Sequence, residues 1–445
     1  MITKAKKLVS QIYSQLQNEN SRFIKYLHNI FWLVSEKILQ IGAGLFIGIW
    51  LAKYLGPERL GLLSYSQSVV ALFIPFATLG IHAILSKELI KKITSPEELI
   101  ANAIAIIIAG EILAYFLLKI FLVISNVKNP ELNIIEVIGL TIFGQIAIVF
   151  EVYFQSELKS KNIATTSLIS LTISSIIKII LILFKAPLIL FAFSYVIDGL
   201  VILLCYSFFL KRNNDIKLGK MRISFKNIKN LLKESWPLLL GSLLTSIYWK
   251  IDQVMLKMFL GDYEVGQYSV AARLSEALYF LPVAIVLALN PAIVNAKEHN
   301  SSEYKKRMRN LYSLMIYISV PMSVITYLAS DLIIMVLFGK EYYASSKVLQ
   351  IHIWASVFVF VGVASGRWLV TEGIQIYLTL NQGLGALSNI LLNLILIPKY
   401  GIEGAAWATL FSYALAGYFS FWIWKKTREQ FWIITTSCFY LPKYK

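Results

Sequence analysis

The chain is 445 residues long, which would suit two or three soluble domains, but 57% of its residues are hydrophobic and only 15% charged, against roughly 45–50% and 25% in soluble proteins. A soluble globule is excluded. The formal charge of +17, from 42 Lys and Arg against 25 Asp and Glu, admits a nucleic-acid partner only if those charges do not sort by membrane side.

Residues 1–29 form a polar, basic leader that reads as a cytoplasmic helix lying on an anionic leaflet. The apolar run after it is too long for a signal-peptide core and lacks a small-residue cleavage site, so no processing is expected. Spans of about 20 apolar residues, enough to cross a hydrocarbon core about 30 Å thick, then recur along the chain. They cover 30–52, 62–86, 99–125, 133–154, 163–184, 188–210, 235–260, 266–294, 309–338, 347–370, 374–397 and 402–424. Twelve spans predict an all-α polytopic membrane protein with both termini on one side. Pro75, Pro282 and Pro321 supply places to bend, and 425–445 is a basic cytoplasmic tail that also reads as interfacial.

The basic residues sort by side. With Arg309, Arg367 and Lys347, which lie at or near span ends, counted on the side they adjoin, 29 of the 42 Lys and Arg fall with the leader, the even-numbered loops and the tail, 7 on the opposite side, and 6 inside spans. This is a positive-inside distribution: both termini are expected in the cytoplasm, and the charge needs no nucleic acid. The richest loop, within 211–234, carries eight basic residues and divides the chain into six-helix lobes at 30–210 and 235–424. A shift of 205 residues lays Leu55, Gly56, Gly61 and Ser64 on Leu260, Gly261, Gly266 and Ser269; a shift of 218 lays Phe193-Ser194-Tyr195 and Gly199 on Phe411-Ser412-Tyr413 and Gly417. Six spans per unit make the repeat parallel, so the expected architecture is two bundles around a central cavity.

Motifs of catalysis are missing. There is no G-x-x-x-x-G-K-[ST] phosphate cradle, no H-E-x-x-H among His28, His82, His299 and His352, and no G-x-S-x-G elbow. Cys205 and Cys438 fit neither a disulfide framework nor a metal cluster. No cofactor and no catalytic residue are expected.

What remains is intramembrane charge: Glu36, Lys37, Glu111, Lys119, Glu151, Lys178, Asp198, Lys250, Asp252, Lys257, Arg273 and Glu276. At about 3 kcal/mol each, exposing all of them to lipid would cost on the order of 36 kcal/mol, so most must face the protein interior. Lys119, Glu151 and Lys257, near span ends, are expected to snorkel. Glu36 beside Lys37, and Arg273 one turn from Glu276, are open to mutual pairing or to transport. Lys250 and Asp252, two residues apart and on different helix faces, read as cavity residues. Glu111, Lys178 and Asp198 stand alone in their spans and need partners on other helices or in water. Under the 205-residue shift Lys250, Asp252 and Arg273 fall on Leu45, Ile47 and Ser68, so a charged site built from them belongs to the C-terminal lobe. Tyr248-Trp249 and Trp422-Trp424 are expected at membrane interfaces rather than as sugar-stacking platforms.

The residues resemble the polysaccharide flippases, the O-antigen and repeat-unit translocases of the superfamily that also holds multidrug extrusion transporters and lipid II flippases. The resemblance is carried by Leu55-Gly56-Pro57-Glu58-Arg59-Leu60-Gly61, and by Asp252 followed by Gly261, Val265-Gly266-Gln267-Tyr268 and Ala271-Ala272-Arg273-Leu274. It continues through Phe338-Gly339-Lys340-Glu341-Tyr342 and Ile397-Pro398-Lys399-Tyr400-Gly401-Ile402-Glu403-Gly404-Ala405-Ala406. It implies a bacterial inner-membrane transporter that carries undecaprenyl-pyrophosphate-linked oligosaccharide to the periplasmic leaflet by alternating access. The implied partners are the lipid-linked oligosaccharide, H⁺ or Na⁺ as coupling ion, membrane lipids, a polysaccharide polymerase and a chain-length regulator. Lys37, Lys250 and Arg273 are the candidates for the substrate's anionic groups; Asp252, Glu111 and Asp198 are the candidates for ion coupling. A drug or cation antiporter would share the fold. A membrane glycan polymerase or ligase usually needs a large outward loop, which this sequence lacks.

Overall fold

The computed structural model describes residues 2–212 and 221–440, with side chains from Trp32 onward except Leu33; the middle of the expected 211–234 linker lies outside the described residues. The described residues form helices and no strand. Nine segments among them are long and apolar enough to cross a membrane. Two of these, Val34–Lys91 and Ile376–Ile423, turn back on themselves and cross twice. Helix α8 (Phe225–Phe259) adds another pass despite carrying Lys250, Asp252 and Lys257. The result is a twelve-helix, two-lobe fold among the described residues.

Glycine makes the turns. α1 (Ile2–Thr78) holds the first two passes and breaks at Gly56, φ 70°; α14 (Ile376–Ala414) holds the eleventh and most of the twelfth and breaks at Gly401, φ 59°. Gly261, φ 108°, separates α8 from α9 (Asp262–Glu276), and Gly339, φ 92°, follows α11 (Ser301–Leu337). An L side chain is strained at these angles, which is why the family-like turns read from the sequence centre on Gly. All four turns lie at one end of the molecule, the turn end; the opposite end carries the basic loops.

The remaining passes follow from local chemistry. α2 (Ile81–Lys91) extends the second pass beyond the break at Leu79-Gly80, four residues after Pro75. α3 (Pro96–Ile124) starts with Ser95 accepting from the Glu98 N–H and with Pro96 in its first turn. The fourth pass joins α4 (Glu131–Gly139) to α5 (Ala147–Ser156) through a 3₁₀ turn; α6 (Ser160–Leu183) and α7 (Leu188–Arg212) complete the first lobe. In the second lobe, α9 runs through a short 3₁₀ turn into α10 (Phe280–His299), whose restart holds Pro282. α12 (Ser345–His352) and α13 (Ala355–Thr371) make the tenth pass. Pro321 does not interrupt α11, which stays helical throughout.

The two ends of the chain are built differently. The basic leader is helical and runs into the first pass without a break. The twelfth pass ends in α15 (Ser420–Ile423); the tail forms α16 (Arg428–Ser437), which docks on α11: Gln430 reaches the buried Tyr312 hydroxyl, and Lys305 pairs with Glu429 at 2.7 Å. Burying Ile434 and Gln430 against α11 favours docking over lying free on a leaflet.

The halves meet at both ends. At the turn end the second and eighth passes cross so closely that a methyl on Gly61 would lie 1.7 Å from the Asp262 carbonyl oxygen, and one on Gly266 1.9 Å from that of Pro57. Tyr342 donates to the Ala52 carbonyl at 2.8 Å. Lys257 contacts Asp262 at 2.5 Å and, across the seam, Glu131 at 3.2 Å, so it is an interlobe bridge rather than a snorkelling residue. Lys119 does not snorkel either, but pairs within the first lobe with Glu136. At the basic end the bonds between halves run to the start of α8: the Ser224 N–H donates to Asn102, Asn227 donates to Glu98, and Lys87 pairs with Glu234 at 2.7 Å. Lys87 holds the Glu234 carboxyl below its ordinary range, so this contribution exists above that range and fades as pH falls through the depressed value. Both side chains are about half exposed, at 49% and 48%, and the pair is weak. Glu234→Gln is therefore expected to leave the melting temperature of the purified chain nearly unchanged; a large drop would show that this pair carries much of the contact between the halves.

Candidate functional site

The buried charges gather in two places. The first is a hollow of about 360 Å³ between α1, α6 and α7, bordered on the far side by Arg273 of α9. Three serine-bearing turns of α6 supply its polar wall. Asp198 on α7 accepts from Ser174 at 2.9 Å and Ser170 at 3.2 Å, and Lys178, one turn beyond Ser174, stands 3.6 Å from it while lying over the Tyr195 ring at 4.4 Å. An adjoining hollow of about 410 Å³ shares Tyr195 and Asp198 and is bordered by Gln145 and Glu151 of the fourth pass.

Arg273 does not turn back to Glu276. Its guanidinium crosses to the other lobe and donates to Ser64 at 3.1 Å and Gln67 at 3.4 Å. These are neutral acceptors, and among the described residues no carboxylate forms an ion pair with the guanidinium, so its charge at the hollow's edge can meet an anion. Lys37 is exposed and donates to Gln40, a residue of the same hollow, at 2.8 Å. It also acts electrostatically on buried Glu36, which accepts from Ser167, and on Glu151. Glu151 thus faces the hollow instead of snorkelling. Lys250 is half-buried on α8, with no ion-pair partner among the described residues.

The second place is the fully enclosed carboxylate of Asp252. It accepts from Tyr268 at 2.8 Å and Thr409 at 2.7 Å on one oxygen and from Asn393 at 2.7 Å on the other. Asn393 also donates to Asn389 at 2.9 Å. The partners come from α9 and from both passes of α14, so the network ties three passes to α8. It leaves the Asn393 carbonyl oxygen and the Asn389 amide nitrogen without protein partners. Oxygen-rich surroundings with spare lone pairs inside a membrane protein suit a proton or a hard monovalent cation.

The structure therefore brings Asp198 and Arg273 to one hollow, leaves Lys37 exposed beside it through its bond to Gln40, and sets Asp252 in a separate cluster. Glu111 goes to neither: its carboxylate accepts from the Ile146 N–H at 2.9 Å, satisfying backbone freed where the fourth pass breaks. Sequence reasoning missed Tyr268, Asn389, Asn393 and Thr409. One signal was available, since Asn389 and Asn393 are i and i+4 in an otherwise apolar pass and share a face. Tyr248 and Trp249, expected at an interface, are interior: Tyr248 is 9% exposed and stacks on Tyr413 at 4.4 Å.

A family model described as "Polysaccharide biosynthesis protein" matches residues 26–297, and one described as MatE matches residues 237–395. A putative O-antigen transporter of Shigella dysenteriae is 27% identical over 192 residues, covering 43% of this chain and 48% of that protein. The match thus spans about half the length of that relative. An inward-facing multidrug resistance MATE family transporter superposes with a TM-score of 0.70 at 14% identity, covering 89% of this chain and 96% of that one. The lipid II flippase MurJ in an inward closed conformation superposes with a TM-score of 0.69 at 18% identity, covering 92% and 91%. At these identities the two structures speak to the fold.

Proposed function

The chain belongs to the polysaccharide biosynthesis protein family, within the superfamily of polysaccharide flippases and multidrug transporters, and from that premise we propose that it is a transporter of lipid-linked oligosaccharide. The substrate is an undecaprenyl-pyrophosphate-linked repeat unit of O-antigen or a similar surface glycan. It moves from the cytoplasmic to the periplasmic leaflet of a bacterial inner membrane. The basic end then faces the cytoplasm with both termini, and the turn end faces the periplasm. The observation that carries this reading is Arg273, an unneutralised guanidinium reaching from one lobe to the other at the edge of a polar hollow.

Arg273 and Lys37 receive the pyrophosphate, with Lys250 as the further basic contact. The serine and amide groups around them take glycan hydroxyls. Asp252 binds and releases H⁺ or Na⁺, and Asp198 paired with Lys178 is the second coupling carboxylate. Because Arg273 binds the two lobes together through Ser64 and Gln67, engaging an anion removes those bonds, which couples substrate binding to lobe separation. The multidrug reading shares the fold, and a polar hollow with both signs of charge favours an anionic glycolipid over a hydrophobic cation.

Repeat-unit export in a strain lacking the gene tests the assignment. Arg273→Ala and Lys250→Ala are each expected to cut export about tenfold or more at equal protein level, since a charge-assisted contact to phosphate contributes roughly 1.5–3 kcal/mol. Full export by both variants removes these residues from substrate binding, and drug resistance on overexpression without glycan export would favour the antiporter.

A further inference from the structure

The two lobes repeat not only their turns but their interior crossings. Gly144 and Gly199 bring the fourth and sixth passes together in the first lobe, a methyl on Gly144 lying 3.6 Å from the Gly199 Cα. In the second lobe Gly362 and Gly417 do the same for the tenth and twelfth passes, with the corresponding separation 3.5 Å. Each pair is related to the other by the same 218-residue shift that relates Tyr195 to Tyr413. A hollow lies against each crossing: the one of about 410 Å³ in the first lobe, and one of about 300 Å³ in the second.

The backbone is repeated; the lining is not. At four equivalent positions the first-lobe hollow has Thr141, Gln145, Glu151 and Asp198, and the second has Val359, Val363, Leu369 and Ala416. The second hollow is completed by Tyr248, Trp249, Phe358 and Phe421, and no charged side chain lines it. The carbonyl oxygens of its two amides are already engaged: Asn381 accepts from the Trp424 indole at 2.8 Å and Gln382 from Thr245 at 2.9 Å. A glycan would therefore lose most of its hydroxyl hydration there with few groups to replace it. A hydrocarbon would lose nothing polar and gain aromatic contact. Gly362 and Gly366 leave room in the wall, since a methyl on either would meet nothing nearer than 3.5 Å, which suits a chain with methyl branches.

We propose that the second-lobe hollow between the seventh, tenth, eleventh and twelfth passes is the subsite for the branched, unsaturated hydrocarbon of the transported amphiphile, while its repeat-related counterpart takes the polar head. The assignment rests on the lipid-linked substrate proposed above. It divides one amphiphile between two copies of one fold: the crossings and the tyrosine are kept, and the polar positions of one copy are apolar in the other.

The test is photo-crosslinking of the purified full chain with a polyprenyl monophosphate that carries a diazirine on its hydrocarbon, followed by peptide mapping. Adducts are expected on residues 355–371 and 413–423. They should be displaced by unlabelled polyprenyl monophosphate but not by phosphatidylglycerol or by free oligosaccharide. Val363→Gln, which installs the first-lobe residue at the equivalent position, and Gly366→Leu, which fills the gap, should each lower the adducts about tenfold. Asp252→Asn should leave them in place, because the coupling cluster does not line this hollow. Labelling confined to outward-facing surfaces, or equal displacement by phosphatidylglycerol or oligosaccharide, overturns the proposal. If either variant misfolds, the wild-type adduct map and its competition pattern still decide. Should export prove independent of Arg273 and Asp252 while the adducts map to the hollow, the transport reading fails and the hydrocarbon subsite stands.

Discussion

Replacing Asp252 by Asn is expected to lower export about 100-fold, equivalent to roughly 2.7 kcal/mol, without unfolding the chain. The carboxylate is 5% exposed and held by three donors from three different passes. An asparagine of nearly the same shape keeps an oxygen for Tyr268 and Thr409 to donate to, and Asn393, whose carbonyl oxygen is unpartnered, can turn its amide to accept from the new NH2, so packing survives. What it loses is the negative charge that binds a cation or takes a proton. Two measurements check this. Export is compared at matched protein level, and the melting temperature of the purified chain is followed with Na⁺ against choline and across pH. A ligand that binds only the folded state raises stability by mass action, so the wild type should gain stability with its coupling ion and the variant should not. Wild-type export by Asp252→Asn removes Asp252 from the coupling role.

The second large effect is expected at the crossing of the second and eighth passes. Gly266→Val puts a branched side chain where even a methyl lies 1.9 Å from the Pro57 carbonyl oxygen. Backbone is in the way, so no rotamer relieves the clash, and overpacking beyond the usual 1–3 kcal/mol follows unless the lobes part. Reversing a 99:1 preference takes about 5.5 kcal/mol, within reach of such a clash. The variant is therefore expected to stay open at the turn end and to stop exporting. Ser64 is 2% exposed beside Arg273 in the closed arrangement. In a background with Cys205 and Cys438 changed to Ser, Ser64→Cys should react with a membrane-impermeant maleimide about tenfold faster when Gly266→Val is present. Unchanged protection together with normal export would show that this crossing is not a gate.

Much of the fold was legible because its signals are local. Apolar length gave the passes, and glycines at positive φ gave the turns at Gly56, Gly261, Gly339 and Gly401. The repeat was legible at Gly61 and Gly266 because both lobes need the same close approach. The matching Gly144 and Gly362 went unread, since a single glycine in an apolar helix carries no partner information until Gly199 and Gly417 are seen against it. Partners of the charges were illegible for the same reason. Arg273 finds Ser64, 209 positions away, over Glu276 one turn along its own helix, and Lys257 finds Glu131 of the other lobe. Those choices are made by lobe packing. Glu111 stood out by its charge, yet its partner is a backbone N–H exposed by a helix break that the apolar pattern of the fourth pass conceals.

Proposed transport depends on an internal polar passage that moves a lipid-linked oligosaccharide between leaflets. Its most direct test is leaflet exchange of a fluorescent polyprenyl-pyrophosphate oligosaccharide in liposomes containing the purified chain, read by chemical quenching from outside under an imposed H⁺ or Na⁺ gradient. Translocation that responds to the gradient and is lost with Arg273→Ala is the predicted result. Exchange no faster than in protein-free liposomes, or equally fast with Arg273→Ala and Asp252→Asn, would contradict it.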